Sequence, residues 1–156
     1  MNAENQTDQN VLEILNSGDS VLKTEVLFNL TFEEVDCEVI RKAVNLIKGD
    51  DKSIKNAVSK FLIQNNNPLI PFAIIDYTSS QDISVRNLAG EVLLRKGTDS
   101  INAICKRLSE IKIDDDIKFL VDILGLIGDR QPEDLIIEIL RVNQNENVIV
   151  ACIEAL

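Results

Sequence analysis

Apolar residues along the chain recur at the spacing of one face of an α-helix. In the clearest segment they are Val85, Leu88, Ala89, Val92 and Leu93, at positions i, i+3, i+4, i+7 and i+8. This spacing is typical of an amphipathic helix. Six Gly and three Pro in 156 residues are few for a β protein rich in loops. The pattern therefore predicts an all-helical protein.

A short motif, Asp-x-x-apolar-basic, opens four of the helical segments. Its copies are Asp19–Lys23, Asp51–Lys55, Asp82–Arg86 and Asp114–Lys118, and the aspartates are 32, 31 and 32 residues apart. A fifth, degenerate copy begins 31 residues later at Asn145. Asp and Asn are good N-caps, because the side-chain oxygen accepts hydrogen bonds from free N–H groups of the first turn. We therefore expect a helix to begin at each of these five residues.

A second set of predicted helices alternates with the first set along the chain and has its own regular spacing of apolar residues. Its apolar markers recur every 31 to 33 residues: Leu12, Val44, Ile75, Leu108 and Leu140. Pro68 and Pro132 suit the first turn of such helices, whereas Gly97, Gly128 and the run 65–67 suit the ends of the first set. Together the two phases predict about five repeats, each with a helix A, a tight turn, a helix B and a short linker.

The terminal copies differ from the middle ones. In the first copy the stripe is Leu22, Glu25, Val26, Asn29 and Leu30, and its two polar positions suit the outer face of a terminal repeat. Residues 1–9 are polar and predict a disordered lead-in, so the repeat domain is expected to cover residues 10–156. The chain stops at position 156, in the middle of an apolar stripe. We expect that further repeats or another domain follow C-terminally in the parent protein.

The repeats resemble the HEAT-repeat superfamily, in particular the short bacterial phycobilisome-lyase HEAT-like type. The resemblance rests on residues 82–97 (DISVRNLAGEVLLRKG) and 117–129 (IKFLVDILGLIGD), although Gly125 stands where the other copies carry Leu. It extends over about residues 10–156 and implies a right-handed α-α superhelix, an α-solenoid of about five 31–32-residue helix pairs. It also implies that the B helices line a concave face that holds other proteins.

Composition narrows the function classes. The net charge is −10, which disfavours binding to nucleic acids and to anionic membrane surfaces. The chain contains no run of about eighteen apolar residues, the length that a membrane-spanning helix needs. The chain has no histidine, which removes Ser-His and Cys-His nucleophile pairs and most zinc sites, and it has no Gly-rich phosphate loop. We therefore expect no enzyme activity, no cofactor and no metal.

The three cysteines, Cys37, Cys105 and Cys152, are widely spaced within apolar helical patterns. The simplest interpretation is reduced, buried thiols in a cytoplasmic protein, and a disulfide is the second alternative. Acidic clusters at residues 33–34, 114–116 and 133–134 lie near predicted helix starts. Negative charge is favourable there, because the N-terminus is the positive end of the helix dipole. The cluster at 114–116 lacks the spaced oxygen ligands of a calcium loop, and we predict no calcium site.

The candidate partner-binding residues are Lys23, Lys55, Arg86 and Lys118, which recur once per repeat. As a basic row on the inner surface they could hold an acidic helix or tail of a partner protein. The alternative is structural, since each Asp could cap its helix and pair with a basic residue of its own or the next repeat. Phe119 is a further candidate, as a partly exposed aromatic anchor.

The sequence thus favours a non-catalytic protein–protein interaction scaffold from a bacterial cytoplasm. Two alternatives remain open. The chain could be a subunit of a bilin-lyase-type or other enzyme complex, which would need a second chain and a chromophore substrate. It could also be a purely structural spacer.

Overall fold

A computed structural model describes residues 3–17 and 19–156, with side chains from Gln9 onwards. Its regular structure is helical, and no strand occurs within these ranges. The helices are α1 (Ala3–Asn16), α2 (Ser20–Asn29), α3 (Cys37–Asn45), α4 (Lys52–Gln64), α5 (Ile70–Ile74), α6 (Ile83–Lys96), α7 (Ile101–Glu110), α8 (Asp114–Ile127), α9 (Glu133–Val142) and α10 (Glu146–Ala155). Short 3-10 segments cover Leu30–Phe32, Leu46–Lys48, Ile75–Ser79 and Gly97–Ser100. The chain forms two compact units, Met1–Ala73 and Ile74–Leu156.

Four of the five predicted N-caps are confirmed. The carboxylates of Asp19, Asp51 and Asp82 each accept hydrogen bonds from two N–H groups in the first turn of α2, α4 and α6. The side chain of Asn145 accepts one from the N–H of Asn147 at the start of α10. These caps satisfy donors that have no partner inside the helix.

The N-cap prediction at Asp114 was wrong. Asp114 is the first residue of α8, and the cap position is occupied by Ile113, whose side chain cannot accept a hydrogen bond. The carboxylate of Asp114 instead accepts hydrogen bonds from the side-chain amides of Asn143, at 3.0 Å, and Asn145, at 3.1 Å. Asp115 and Asp116 still place negative charge in the first turn, where the helix dipole favours it.

In the first unit α1 contacts α3, and α2 contacts α4, while α1–α2 and α3–α4 also pack as pairs. Two asparagines that follow α4 form hydrogen bonds to the segment between α2 and α3. The Nδ2 of Asn65 donates to the carbonyls of Leu30 and Glu33, and that of Asn67 donates to the carbonyl of Val35. The two bonds to Glu33 and Val35 each join residues 32 positions apart.

In the second unit α6 contacts α8 and α8 contacts α10, while α7 packs on α8 and α9 on α10. The stripe predicted for α6 is buried at Val85, Ala89, Val92 and Leu93. The corresponding stripe of α8 is buried at Ile117, Leu120, Val121 and Leu124, and that of α10 at Val148, Ala151 and Cys152. Small residues at the centre of the stripes thus lie in the core, as the pattern predicted.

In the first unit α4 buries its predicted stripe at Ile54, Val58, Phe61 and Leu62, whereas α2 departs from its own. In α2 the buried residue is Leu27, followed by Thr31 just beyond the helix, whereas Leu22 is exposed. The helix is therefore turned by about one position relative to the predicted stripe. Glu25 and Asn29 explain this rotation, because the polar side chains of the expected stripe remain at the surface.

Two helix starts also differ from expectation. Helix α1 begins at Ala3 and so includes most of the expected lead-in, whose first two residues lie outside the described part of the chain. Ala, Glu and Gln are good helix formers, which suits an earlier start. Helix α5 begins at Ile70, two residues beyond Pro68. Pro132 lies at the N-cap position of α9.

The predicted helix ends at Gly97 and Gly128 are confirmed. Both glycines have positive φ, 58° and 70°, a region that L side chains rarely adopt. Helix α4 ends at Asn65, also as predicted, and the backbone N–H of this residue bonds to the carbonyl of Phe61.

Candidate partner-binding surface

A groove with exposed apolar side chains lies between α2 and α4 in the first unit. Thr24, Phe28 and Thr31 line one side, and Ser53, Asn56, Ala57 and Lys60 line the other, around a cavity of about 270 Å³. A second cavity of about 500 Å³ adjoins it along Ser20, Val21, Glu25 and Phe28. We call these residues together the α2/α4 groove.

Two exposed apolar side chains dominate the α2/α4 groove. Val21 is 74% exposed and Phe28 is 60% exposed. The ammonium of Lys60 lies over the Phe28 ring, 5.0 Å from its centroid, which is within cation–π range. The groove therefore presents an aromatic face with a positive charge beside it.

The groove between α8 and α10 is built in the same way in the second unit. Lys118, Asp122 and Gly125 line it from α8 at the i, i+4, i+7 spacing that Thr24, Phe28 and Thr31 have in the α2/α4 groove. Ala151 and Glu154 line it from α10, at the spacing of Ala57 and Lys60 on α4. Leu126 and Ala155 complete the lining of a cavity of about 450 Å³. We call this the α8/α10 groove.

Helices α6 and α8 have a filled space between them, whereas the pairs α2/α4 and α8/α10 each have an open groove. The Phe119 ring packs on Gly90, and a Cβ built on this glycine would lie 2.6 Å from the Phe119 Cζ. The guanidinium of Arg86 lies over the ring, 4.7 Å from its centroid. Phe119 is half-buried in this arrangement, so its ring fills the space between the two helices.

Arg86, the third predicted basic residue, contacts the start of α8. Its Nη2 donates to the carbonyl of Asp115 at 2.8 Å and lies 3.5 Å from Oδ1 of Asp116. The Asp116 side chain is 8% exposed and that of Arg86 is 25% exposed. The ion pair is thus partly desolvated, and Arg86 links α6 to α8.

Lys118 and Lys23, two more of the predicted row, also have acidic neighbours. The Nζ of Lys118 bonds to Oδ2 of Asp122, one turn later in α8, at 2.7 Å. The pKa of the Asp51 carboxyl is lowered first by the hydrogen bond from Ser20, then by the N–H groups in the first turn of α4, and least by the charge of Lys23. The Ser20 hydroxyl donates to Asp51 at 2.7 Å and so joins α2 to the cap of α4.

The fourth residue of the predicted row, Lys55, is half-buried on α4 and has contacts of its own. Among these residues, Arg86 contacts the acidic start of another helix as the structural alternative expects, whereas the partner of Lys118, Asp122, is not one of the capping aspartates. The binding alternative stays a prediction. Sequence reasoning missed Val21, Phe28 and Lys60, because their exposure depends on how α2 is turned against α4.

The three cysteines are free thiols, and Cys152 is buried. Burial raises the pKa of Cys105 and of Cys152, so both thiols are held in the neutral, less nucleophilic form. Among residues 3–17 and 19–156 no group of three or more His, Cys, Asp or Glu side chains could hold a metal ion. Within the same ranges no helix has the length and apolar content needed to cross a membrane.

Comparison with known proteins adds no relative. No protein-family model matches the chain, and no curated protein matches it.

Proposed function

We propose that this chain is a HEAT-like α-solenoid that serves as a non-catalytic protein-binding scaffold in a bacterial cytoplasm. In this proposal the pairs α1–α2, α3–α4, the segment Ile75–Ser79 with α6, α7–α8 and α9–α10 are the five successive repeats of a right-handed stack. The second helices of the repeats form the surface that holds a partner.

The repeat proposal is supported by side-chain hydrogen bonds at the period of the sequence pattern. Ser20 bonds to Asp51, 31 positions later, and Asn145 bonds to Asp114 at the same separation. In each unit such bonds join the start of one second helix to the start of the next. Repeats that contact only their neighbours are expected to show this arrangement.

The binding proposal rests chiefly on the α2/α4 groove. Exposed apolar side chains that flank a cavity are unfavourable in water and typical of interaction sites. Aromatic residues such as Phe28 are common anchors in protein interfaces. The acidic net charge disfavours nucleic acid as the ligand.

Affinity capture from the native lysate tests the proposal, with the full-length protein as bait. The control bait carries Phe28→Ser and Val21→Ser, two exposed positions whose change should leave the fold intact, as circular dichroism would show. We expect a protein that the wild type retains, that the control bait loses, and that binds again after purification. Absence of such a protein would count against a scaffold role. Visible absorbance in the captured complex would favour the bilin-lyase alternative instead.

A further inference from the structure

We propose that the α2/α4 groove binds an acidic, amphipathic segment of a partner protein. This inference rests on the proposed function and deepens it, because it names the surface and the chemistry of the ligand. Three features of the first unit carry the inference: the apolar floor, the lysines of α4, and the polar side chains between them.

The apolar floor offers one place for an inserted side chain. Val21 and Phe28 lie on α2 with Thr24 between them, and Ala57 faces them from α4. Because Ala57 is small, the cavity beside it stays open. An apolar side chain such as Leu or Phe from the ligand would cover the exposed faces of Val21 and Phe28, which the protein itself leaves in water.

The charge of helix α4 contrasts with the charge of the chain. Helix α4 contains Lys52, Lys55 and Lys60 and no acidic residue, in a protein whose net charge is −10. Lys52, Asn56 and Lys60 follow one another at i, i+4 and i+8, so they lie on one face of the helix. Among the described residues, no carboxylate forms an ion pair with Lys52 or Lys60.

Charge complementarity therefore selects an acidic ligand. Carboxylates on either side of the inserted apolar residue would meet the ammonium groups of Lys52 and Lys60. The amide of Asn56 and the hydroxyls of Ser53 and Thr24 can bond to the ligand backbone or its polar side chains. The one carboxylate that lines the groove, Glu25, lies on the α2 side, opposite the lysine face.

Selection from a random peptide library displayed on phage tests this proposal with the full-length protein as the target. We expect the enriched peptides to share a Leu or aromatic residue flanked by Asp or Glu. The Lys52→Glu/Lys60→Glu variant should bind these peptides about tenfold more weakly, since two favourable charge contacts become repulsive.

The matched control is Lys106→Glu/Lys112→Glu, which makes the same charge change at two exposed lysines of the second unit. This control should bind the peptides as the wild type does. A second groove variant, Phe28→Ser, keeps all charges and should also weaken binding. Circular dichroism on each variant shows whether the fold is retained.

The possible failures are distinguishable. Enriched peptides without an acidic bias, or with equal affinity for the groove variants, would overturn the groove assignment and leave a protein-binding role standing. No enrichment at all would overturn both proposals. Self-association that Lys52→Glu/Lys60→Glu abolishes would identify the occupant as an acidic segment of a second copy, and it would overturn the assignment to a partner protein.

Discussion

The α2/α4 groove and the α8/α10 groove are lined at the same helical spacing, yet their charged side chains differ: Glu25 and Lys60 line the first, whereas Lys118, Asp122 and Glu154 line the second. At one pair of positions the first groove has Phe28 and Lys60, whereas the second has Asp122 and Glu154. Helix α4 carries three lysines and no acid, whereas α10 carries two glutamates and no base. The same backbone arrangement can thus present either an aromatic, basic surface or an acidic one. The ligand chemistry is therefore decided by a few exposed positions and not by the helix packing.

The residue at the floor of the groove, where the two helices approach each other, also differs between the α8/α10 and α2/α4 grooves. In the α8/α10 groove the floor contains Gly125, and a Cβ at this position would lie 3.0 Å from the Cα and Cβ of Ala155. In the α2/α4 groove the residue at the same i+7 spacing is Thr31, whose hydroxyl donates to the carbonyl of Leu27. Glycine thus lets α10 approach α8 closely, and this approach can be tested by mutation.

The largest effect is expected for Gly125→Leu, which installs the residue that the other repeats carry. The new side chain would force α10 away from α8, and overpacking of this kind costs about 1–3 kcal/mol, of which better helix propensity offsets at most about 1. Urea unfolding monitored by circular dichroism measures the change. Leu126→Ala, at the exposed neighbouring position, should change stability by less than about 0.5 kcal/mol. Equal stability of wild type and Gly125→Leu would show that the helices are not tightly apposed.

The closed contact between α6 and α8 gives the second prediction. Arg86→Met removes a hydrogen bond to the Asp115 carbonyl and leaves the Asp116 carboxylate, which is largely buried, without its cation. We expect a loss of about 1–2 kcal/mol in the free energy of unfolding.

A double-mutant cycle with Asp116→Asn separates the parts of this effect. Asp116→Asn in the Arg86→Met background should recover part of the lost stability, because the uncompensated charge is gone. If Arg86→Met unfolds at the same urea concentration as the wild type, Arg86 does not stabilise the contact between α6 and α8. That result would favour the partner-binding alternative for this residue.

Glu25→Lys sharpens the charge contrast between the grooves. It replaces the carboxylate that lines the α2/α4 groove with a further cation, so acidic peptides should bind about two- to fourfold more tightly. Isothermal titration calorimetry with a peptide obtained by display measures this change. Glu154→Lys makes the same substitution in the α8/α10 groove and should leave the affinity unchanged. A gain of equal size in both variants would point to a general charge effect instead of a local one.

The smallest effect concerns the pH dependence of the cap on α4. The pKa of Asp51 is lowered from its ordinary value of 3.8, first by the Ser20 hydroxyl and then by N–H groups of α4. A lowered folded-state pKa contributes stability that is present above 3.8 and is lost as the pH falls through the folded-state value. Asp51→Asn should therefore lower the urea midpoint at neutral pH, and the difference should shrink well below pH 3.8.

Asp50→Asn is the control for this pH experiment, since it removes the neighbouring charge and leaves the cap in place. Its urea midpoint should follow that of the wild type at both pH values. A difference between wild type and Asp51→Asn that stays constant down to low pH would show that the ionised carboxylate is not the stabilising form.

Local signals in the sequence predicted much of this structure. The caps at Asp19, Asp51 and Asp82 depend only on the following two or three residues, and the Gly97 and Gly128 ends depend on backbone freedom at one residue. Asp114 was assigned wrongly because its partners, Asn143 and Asn145, belong to a segment that only the tertiary fold brings near.

The grooves could not be derived from periodicity. Their exposure depends on the rotation of α2, which buries Leu27 in place of the expected Val26 stripe and so turns Phe28 outward. A stripe of apolar residues predicts the buried face of a helix reliably only when no polar residue interrupts it. In α2 the stripe is interrupted by Glu25 and Asn29. The predicted row of Lys23, Lys55, Arg86 and Lys118 rested on the same periodicity, which carries no information on which carboxylates lie nearby.

The most direct test of the docking surface is a nuclear magnetic resonance titration of the uniformly labelled full-length protein with an acidic peptide obtained by display. Our account predicts that amide shifts concentrate on α2 and α4, at Val21, Thr24, Phe28, Asn56 and Lys60, while α8 and α10 change little. Shifts concentrated on α8 and α10, or spread evenly over both units, would contradict it.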